Sequence, residues 1–157
     1  MKKILFALFI LSSATLFAQE RHDNNKESDN VPSPVRQSFQ KDNPQANNTM
    51  WGQDQKNNQW HANYKDDHNR NTDAYYDPNG SRVETHITLN QSEVPVTVNA
   101  RINTKYNPEG NYHAERIERP DYQPLYKIKY HRKNKDRVIY MDGQGKKRHF
   151  HDYHDQN

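Results

Sequence analysis

The residues best suited to chemistry cluster near the C-terminus. His149, His151 and His154 stand among Phe150, Asp152, Tyr153 and Asp155. Residues two apart on a strand share one face, so the imidazoles of His149 and His151 can meet one ion. His154 or a neighbouring carboxylate would add a third ligand to such a zinc-type site. The chain has no cysteine, so neither a thiolate site nor a disulfide is available. A solvated polar tail accounts for the same residues.

A second chemical feature lies just upstream. Lys127, Lys129, Arg132, Lys133, Lys135 and Arg137 fall within eleven residues. An acidic protein, an anionic polysaccharide or lipid headgroups can dock on such a stretch. A charged hairpin that discourages edge-to-edge association reads the same way. Catalysis finds less support. There is no glycine-rich phosphate loop, no His-Glu-x-x-His and no nucleophile elbow. Neither an enzymatic activity nor a cofactor is expected.

The elements that position these residues follow from periodicity. Gln59 to Lys65 alternates, with Trp60, Ala62 and Tyr64 on one side and His61, Asn63 and Lys65 on the other. Thr72 to Tyr76 and Ser81 to Leu89 continue the pattern. Val83, Thr85, Ile87 and Leu89 point inward, and Arg82, Glu84, His86 and Thr88 outward. Later, Tyr126, Ile128 and Tyr130 oppose Lys127, Lys129 and His131. Two short amphipathic helices cover one face: Val31, Val35 and Phe39 line the first, and Val94, Val98, Ile102 and Tyr106 the second. Ser92 serves as an N-cap for the second. The other face is then free. It carries His61, Asn63, Lys65, Tyr75, Glu84 and His86, then Lys127, Lys129, His131, Val138 and Tyr140. Aromatics mixed with charges suit protein recognition. The sites expected to meet a partner are His61, Lys65, Tyr75, His86, Lys127, Lys129, His131 and Tyr140. Further strands are expected from Met50, over 111–119 and from Lys146 to about His151, with a turn across Lys133 to Asp136.

Residues 1–18 have the form of a secretory signal peptide: Lys2 and Lys3, an apolar run over 4–11, then small residues up to Ala18. Residues 19–30 form a polar leader without an apolar side chain, and 152–157 a polar tail. After cleavage no stretch is long and apolar enough to span a bilayer. Export argues against nucleic acid as a partner and for an unidentified secreted or envelope protein. The full chain carries 23 Lys and Arg against 20 Asp and Glu. The excess is uneven: 8 basic and 11 acidic residues over 19–91, but 13 basic and 9 acidic over 92–157. Hydrophobic residues make up only 31% of the chain, yet there are 10 Tyr and 2 Trp. That composition implies a small core weighted toward tyrosine rather than a disordered chain.

The same landmarks occur twice. Val31-Pro32 and Val94-Pro95 open two stretches 63 residues apart; each meets an Asn-Pro, Asn43-Pro44 and then Asn107-Pro108. Each ends in a tight turn, at Gly80 and at Gly145, 65 residues apart. Nearly equal spacing of ordered landmarks points to duplication, with units over 31–91 and 92–151. The pattern resembles the PepSY-like family of secreted bacterial proteins. It is carried by Val31, Pro32, Val35, Phe39, Pro44, Trp51, Tyr76, Asp77 and Gly80. In the second unit it is carried by Val94, Pro95, Val98, Ile102, Tyr106, Pro108, Met141, Asp142 and Gly145. That family is similar in architecture to the beta-lactamase inhibitor protein. The resemblance implies an α+β fold: two tandem repeats, each a helical segment on one face of an antiparallel meander, with the sheets side by side. It implies binding or inhibition rather than catalysis. The alternative from the residues alone is a metal- or anion-binding envelope protein.

Overall fold

The computed structural model describes residues 30–150. The signal segment, nearly all of the leader, His151, His154 and the rest of the tail lie outside the described residues. Helix α1 (Ser33–Asp42) leads into strands β1 (Asn47–Asp54), β2 (Gln59–Lys65), β3 (Asn71–Tyr76) and β4 (Arg82–Leu89). A 3-10 turn (Gln91–Glu93) and helix α2 (Val96–Arg101) follow. Helix α2 runs on into a π turn over Ile102–Tyr106. Strands β5 (His113–Glu118), β6 (Leu125–His131), β7 (Asp136–Asp142) and β8 (Lys147–Arg148) complete the described chain. All eight strands pair antiparallel with their sequence neighbours in one sheet, β1 to β8. The two expected sheets are therefore one: β4 pairs β5 across the middle, with Leu89 opposite Ala114 and Thr85 opposite Glu118. Pairing there removes two inner edges that would otherwise expose backbone donors and acceptors.

Helix α1 starts where Pro32 presets its backbone and needs no donor. It stops at Asn43, which precedes Pro44 and leaves the helical region. Three turns would not hold alone. Val31, Val35 and Phe39 are buried against the sheet, with Trp60, Ala62, Tyr64, Ala74 and Tyr76. The Phe39 ring meets Trp51 and Tyr64 edge-on, each at 5.1 Å, and Tyr76 at 6.4 Å. Asn43 fastens this end. Its side-chain amide donates to the Phe39 carbonyl at 3.2 Å, and its oxygen accepts from the Tyr64 hydroxyl at 2.6 Å. Burial pushes the Tyr64 hydroxyl up to about 12 and raises Tyr76 as well, so both stay neutral. A second core on the same face joins Val94, Val98 and Ile102 to Leu89, Ala114, Tyr126, Ile128, Tyr130, Ile139 and Met141, among others.

Two turn glycines lock the hairpins against the helices. Gly80 has φ +87°, and a Cβ there would sit 2.6 Å from the Pro34 carbonyl oxygen. Gly145 has φ +74°, and its Cβ would sit 2.9 Å from the Thr97 carbonyl oxygen. Only glycine combines that conformation with that approach. Each turn is closed by an aspartate: Asp77 accepts from the amides of Asn79 and Ser81, and Asp142 from those of Gln144 and Lys146.

Several boundaries and caps differ from expectation. Ser92 does not cap α2; it lies inside the 3-10 turn, where the Glu93 carboxylate accepts the Asn90 amide at 2.8 Å. Pro95 opens the helix. The β3–β4 ladder slips between Tyr75 and Tyr76, which places Arg82 opposite Tyr76. Arg82 therefore turns toward the helix side and approaches Asp42 of α1 at 3.8 Å, rather than facing outward. The β6–β7 turn closes one residue earlier than expected: Arg132 and Lys135 exchange backbone hydrogen bonds, and Asp136 joins the strand opposite His131. Strand β8 stops at Arg148, so His149 is not in a strand, and the strand face it was to share with His151 does not extend to it. Arg148 is held instead by Asp142, at 2.6 Å, and Phe150 lies over Tyr140.

Candidate functional site

Both helices lie on one side of the sheet, and strand register assigns the other side. A row of rings crosses its first half. His61 on β2 stands opposite Tyr75 on β3, and Tyr75 opposite Glu84 on β4. The Tyr75 ring centre is 5.8 Å from that of His61 and 5.1 Å from that of His86. Gly52 of β1 lies opposite His61, and any Cβ on Gly52 would collide with the imidazole. The glycine thus lets the His61 ring lie across β1. His61, Tyr75 and His86 are all half-buried, presenting part of each ring to solvent. Burial first, then the carboxylates of Asp73, Glu84 and Glu115, push the Tyr75 hydroxyl up to about 12. It remains a neutral hydrogen-bond donor.

Two carboxylates anchor the charges on this face. Glu84 accepts from His86 Nε2 at 2.8 Å and from Arg119 Nε at 3.0 Å. Glu115 accepts from Lys127 and Lys129, both at 2.8 Å, and reaches His113 at 3.1 Å. Burial alone would raise both acids; Lys127 and Lys129 outweigh it and hold Glu115 at about 2, while His86 and Arg119 lower Glu84. Thr88, not Glu84, stands opposite Glu115. The two acids are therefore four strand positions apart, about 13 Å. Each is ionised and clamped by cations, which suits neither for proton donation at neutral pH.

Register brings Lys127 and Tyr140 side by side, and Lys129 beside Val138, which is 51% exposed. His61, Tyr75 and His86 thus form one group, and Lys127, Lys129 and Tyr140 another. Lys65 does not join them, and His131 stands at the edge of the second group, in one cleft with Lys129 and Val138. Lys65 ends β2 opposite Asn71, and His131 ends β6 with its Nδ1 3.0 Å from Asp136. The basic character expected of the second half is also reduced here, because Glu115 pairs with both central lysines. His149 is exposed next to the end of β8. Among the described residues, the one cluster with metal-ligand atoms in reach of each other is Asp66, Asp67 and His68. Asp66 there is occupied by the turn, accepting from the amides of His68 and Arg70 and from the Arg70 guanidinium.

Sequence reasoning misses several contributors to this face. Glu115 and Ile117 alternate with Ala114 and Arg116 on β5, so strand parity could have placed them. Ile117 pairs with Leu125, both below 4% exposed, although register sets them on the side away from the helices. Arg119 and Phe150, available to cover them, carry no periodic signal. The Phe150 ring lies 5.0 Å from Tyr140, with the Arg119 guanidinium 5.7 Å from Phe150.

The clamped glutamates make stability acid-sensitive. The folded-state value of Glu115 lies below its ordinary 4.5, so the unfolded chain takes up the proton first. Its contribution is complete above about pH 5 and is lost as pH falls toward 2, on the order of 1–3 kcal/mol. Glu84 adds in the same direction. Urea melts at pH 7 and pH 3 should show this loss. Glu115→Gln should shrink the difference between the two pH values while lowering stability at pH 7. An unchanged difference would show that Glu115 is not held as described.

Comparison with known proteins agrees on the fold. No family model matches the chain, and no curated protein matches it. The fold is shared with solved structures from Bacteroides. A BLIP-like protein from Bacteroides fragilis superposes with a TM-score of 0.66 at 20% identity, covering 75% of this chain and 84% of that one. A DUF2874 family protein from Bacteroides ovatus gives 0.65 at 23%, covering 73% and 82%. A candidate periplasmic protein from Bacteroides eggerthii gives 0.69 at 20%, covering 74% and 85%. By these superpositions the chain has a BLIP-like α+β architecture.

Proposed function

We propose that this protein is an exported, non-enzymatic binding module that engages an extracytoplasmic protein through the sheet face its helices leave uncovered. The observation that carries this reading is the ring row of His61, Tyr75 and His86, continued across the sheet by the Glu115–Lys127 pair and Tyr140. Aromatic rings held at fixed positions by cross-strand neighbours lose little freedom on binding and supply most of the energy of protein recognition. Export is supported by the signal-peptide pattern and by the candidate periplasmic neighbour. The BLIP-like neighbour favours inhibition of an extracytoplasmic enzyme as the form the binding takes. A tandem origin of the two halves is supported by the order helix then four strands in each. The matching contacts of Gly80 on Pro34 and Gly145 on Thr97 support it too.

The test is affinity capture from envelope extract with the mature protein, followed by quantitation against variants. Tyr75→Ala with Tyr140→Ala should reduce recovery of a stoichiometric partner about tenfold or more, as loss of interface hot spots does. The helix-side variant Gln40→Ala should recover it undiminished. A partner retained by the sheet-face variant and lost by the helix-side variant would reverse the assignment.

A further inference from the structure

A separate cleft, at the far end of the second half and on the helix side, has the chemistry of an acidic-glycan site. It measures about 370 Å³ and is lined by Lys105, Tyr106, Tyr130, Arg132, Lys133 and Arg137. Four cations and two tyrosines meet there, and no carboxylate is among the lining residues. The elements that assemble it come from distant parts of the chain. Lys105 and Tyr106 end the π turn that follows α2, and Arg137 stands opposite Tyr130 where β6 and β7 leave the hairpin. The hairpin is fixed in place by three bonds. The Arg132 guanidinium donates to the Tyr106 carbonyl at 2.7 Å. The Glu109 amide donates to the His131 carbonyl, and the Lys133 amide to the Glu109 carboxylate at 3.0 Å.

The contrast with the sheet face is the deciding point. Lys127 and Lys129 belong to the same basic stretch, but both are paired with Glu115. Lys105, Arg132, Lys133 and Arg137 make no ion pair among the described residues; Lys105, Lys133 and Arg137 are exposed. Four cations against the nearby Glu109 carboxylate leave an excess of positive charge whose cost a polyanion would relieve. The tyrosines refine the class. Tyr106 and Tyr130 meet edge-on at 6.0 Å, and Lys105 lies 5.8 Å from the Tyr106 ring centre. Tyr130 is a core residue, 7% exposed, that backs the half-buried Tyr106 ring, and Tyr106 beside the cations offers an apolar edge to a sugar ring and charge to its carboxylate or sulfate. None of the six lining residues is aliphatic, so the cleft lacks the side chains that would enter a bilayer.

We infer that this cleft binds an acidic polysaccharide, one carrying carboxylate or sulfate groups on its sugar rings. The site is independent of the sheet face proposed above. Calorimetric titration of the full mature protein with a heparin hexasaccharide tests it. Parallel titrations use inorganic phosphate, phosphatidylglycerol vesicles and a neutral hexasaccharide. The expected result is saturable one-site binding to the acidic hexasaccharide alone, weakening as salt is raised. Lys105→Gln with Arg137→Gln should lower the affinity about tenfold or more. Tyr106→Leu should lower it by an amount that persists at high salt. Lys146→Gln with Lys147→Gln, elsewhere on the surface, should bind as the parent does. Circular dichroism checks that each variant is folded. No binding to the acidic hexasaccharide, an equal loss in the Lys146 and Lys147 control, or binding to vesicles or phosphate as tight as to the hexasaccharide would each overturn the inference.

Discussion

Tyr76→Ala should cost about 3–5 kcal/mol, the range for removing a fully buried aromatic. Its side chain is completely buried, and its ring packs edge-on with Phe39 at 6.4 Å. Removing it leaves a cavity under α1 where Trp60, Ala62 and Ala74 cannot all close in, since their strands are held by ladder bonds. The core of the first half contains eight buried residues among those described, so this is a large share of its packing. For a small domain such a loss approaches the whole folding free energy. Tyr76→Phe separates packing from polarity. The hydroxyl's contact with the Asn43 amide is long, at 3.5 Å, so the phenylalanine variant should lose no more than about 1 kcal/mol. Denaturant titrations of both variants check the pair. A Phe variant as unstable as the Ala variant would mean that the hydroxyl, not the ring, carries the effect.

The second large effect is expected at the turn glycines. Gly80→Ala places a Cβ against the Pro34 backbone and forces φ +87° on an alanine. The conformation alone costs about 1 kcal/mol, and separating the hairpin from α1 raises the total to about 2–4 kcal/mol. Gly145→Ala meets a slightly longer contact, 2.9 Å from the Thr97 oxygen, and should cost about 2–3 kcal/mol. Gly110 provides the control. It has the same φ of +87°, but a Cβ there would have no atom within 4 Å, so Gly110→Ala should cost only about 1 kcal/mol. Thermal melts of the three variants measure the difference. Equal losses at all three sites would remove helix contact as the reason for glycine at Gly80 and Gly145.

Much of this architecture can be read from residue order. Alternation places Trp60, Ala62 and Tyr64 against the helix and His61 away from it, because one sheet face is packed and the other is not. The Asn-Pro pairs mark where both helices stop; Asn107 ends the second by adopting a left-handed backbone, φ +43°. What cannot be read is where pairing departs from regularity. The bulge that turns Arg82 toward Asp42 is a one-residue slip, and a slip reverses every parity beyond it. The joining of the two meanders into one sheet depends on β4 finding β5 across the α2 crossover, which no local pattern encodes.

The candidate face shows the same division. Alternation finds Tyr75, His61 and His86, and they meet in one row. It also places Lys127 and Lys129 correctly, but not their pairing, because the one Glu115 carboxylate offsets part of their charge from a strand whose register no local pattern fixes. Pairing lowers the positive charge of the sheet face and leaves the larger unpaired excess in the helix-side cleft around Arg137. The row of rings, rather than the lysines, is therefore the distinctive part of the face.

Hydroxyl-radical footprinting of the protein alone and in complex with its captured partner locates the binding surface most directly. His61, Tyr75 and Tyr140 should lose reactivity on binding, while Tyr106, on the helix side, keeps its own. Protection of Tyr106, with His61 and Tyr75 unchanged, would contradict the assignment of the binding surface to the uncovered sheet face.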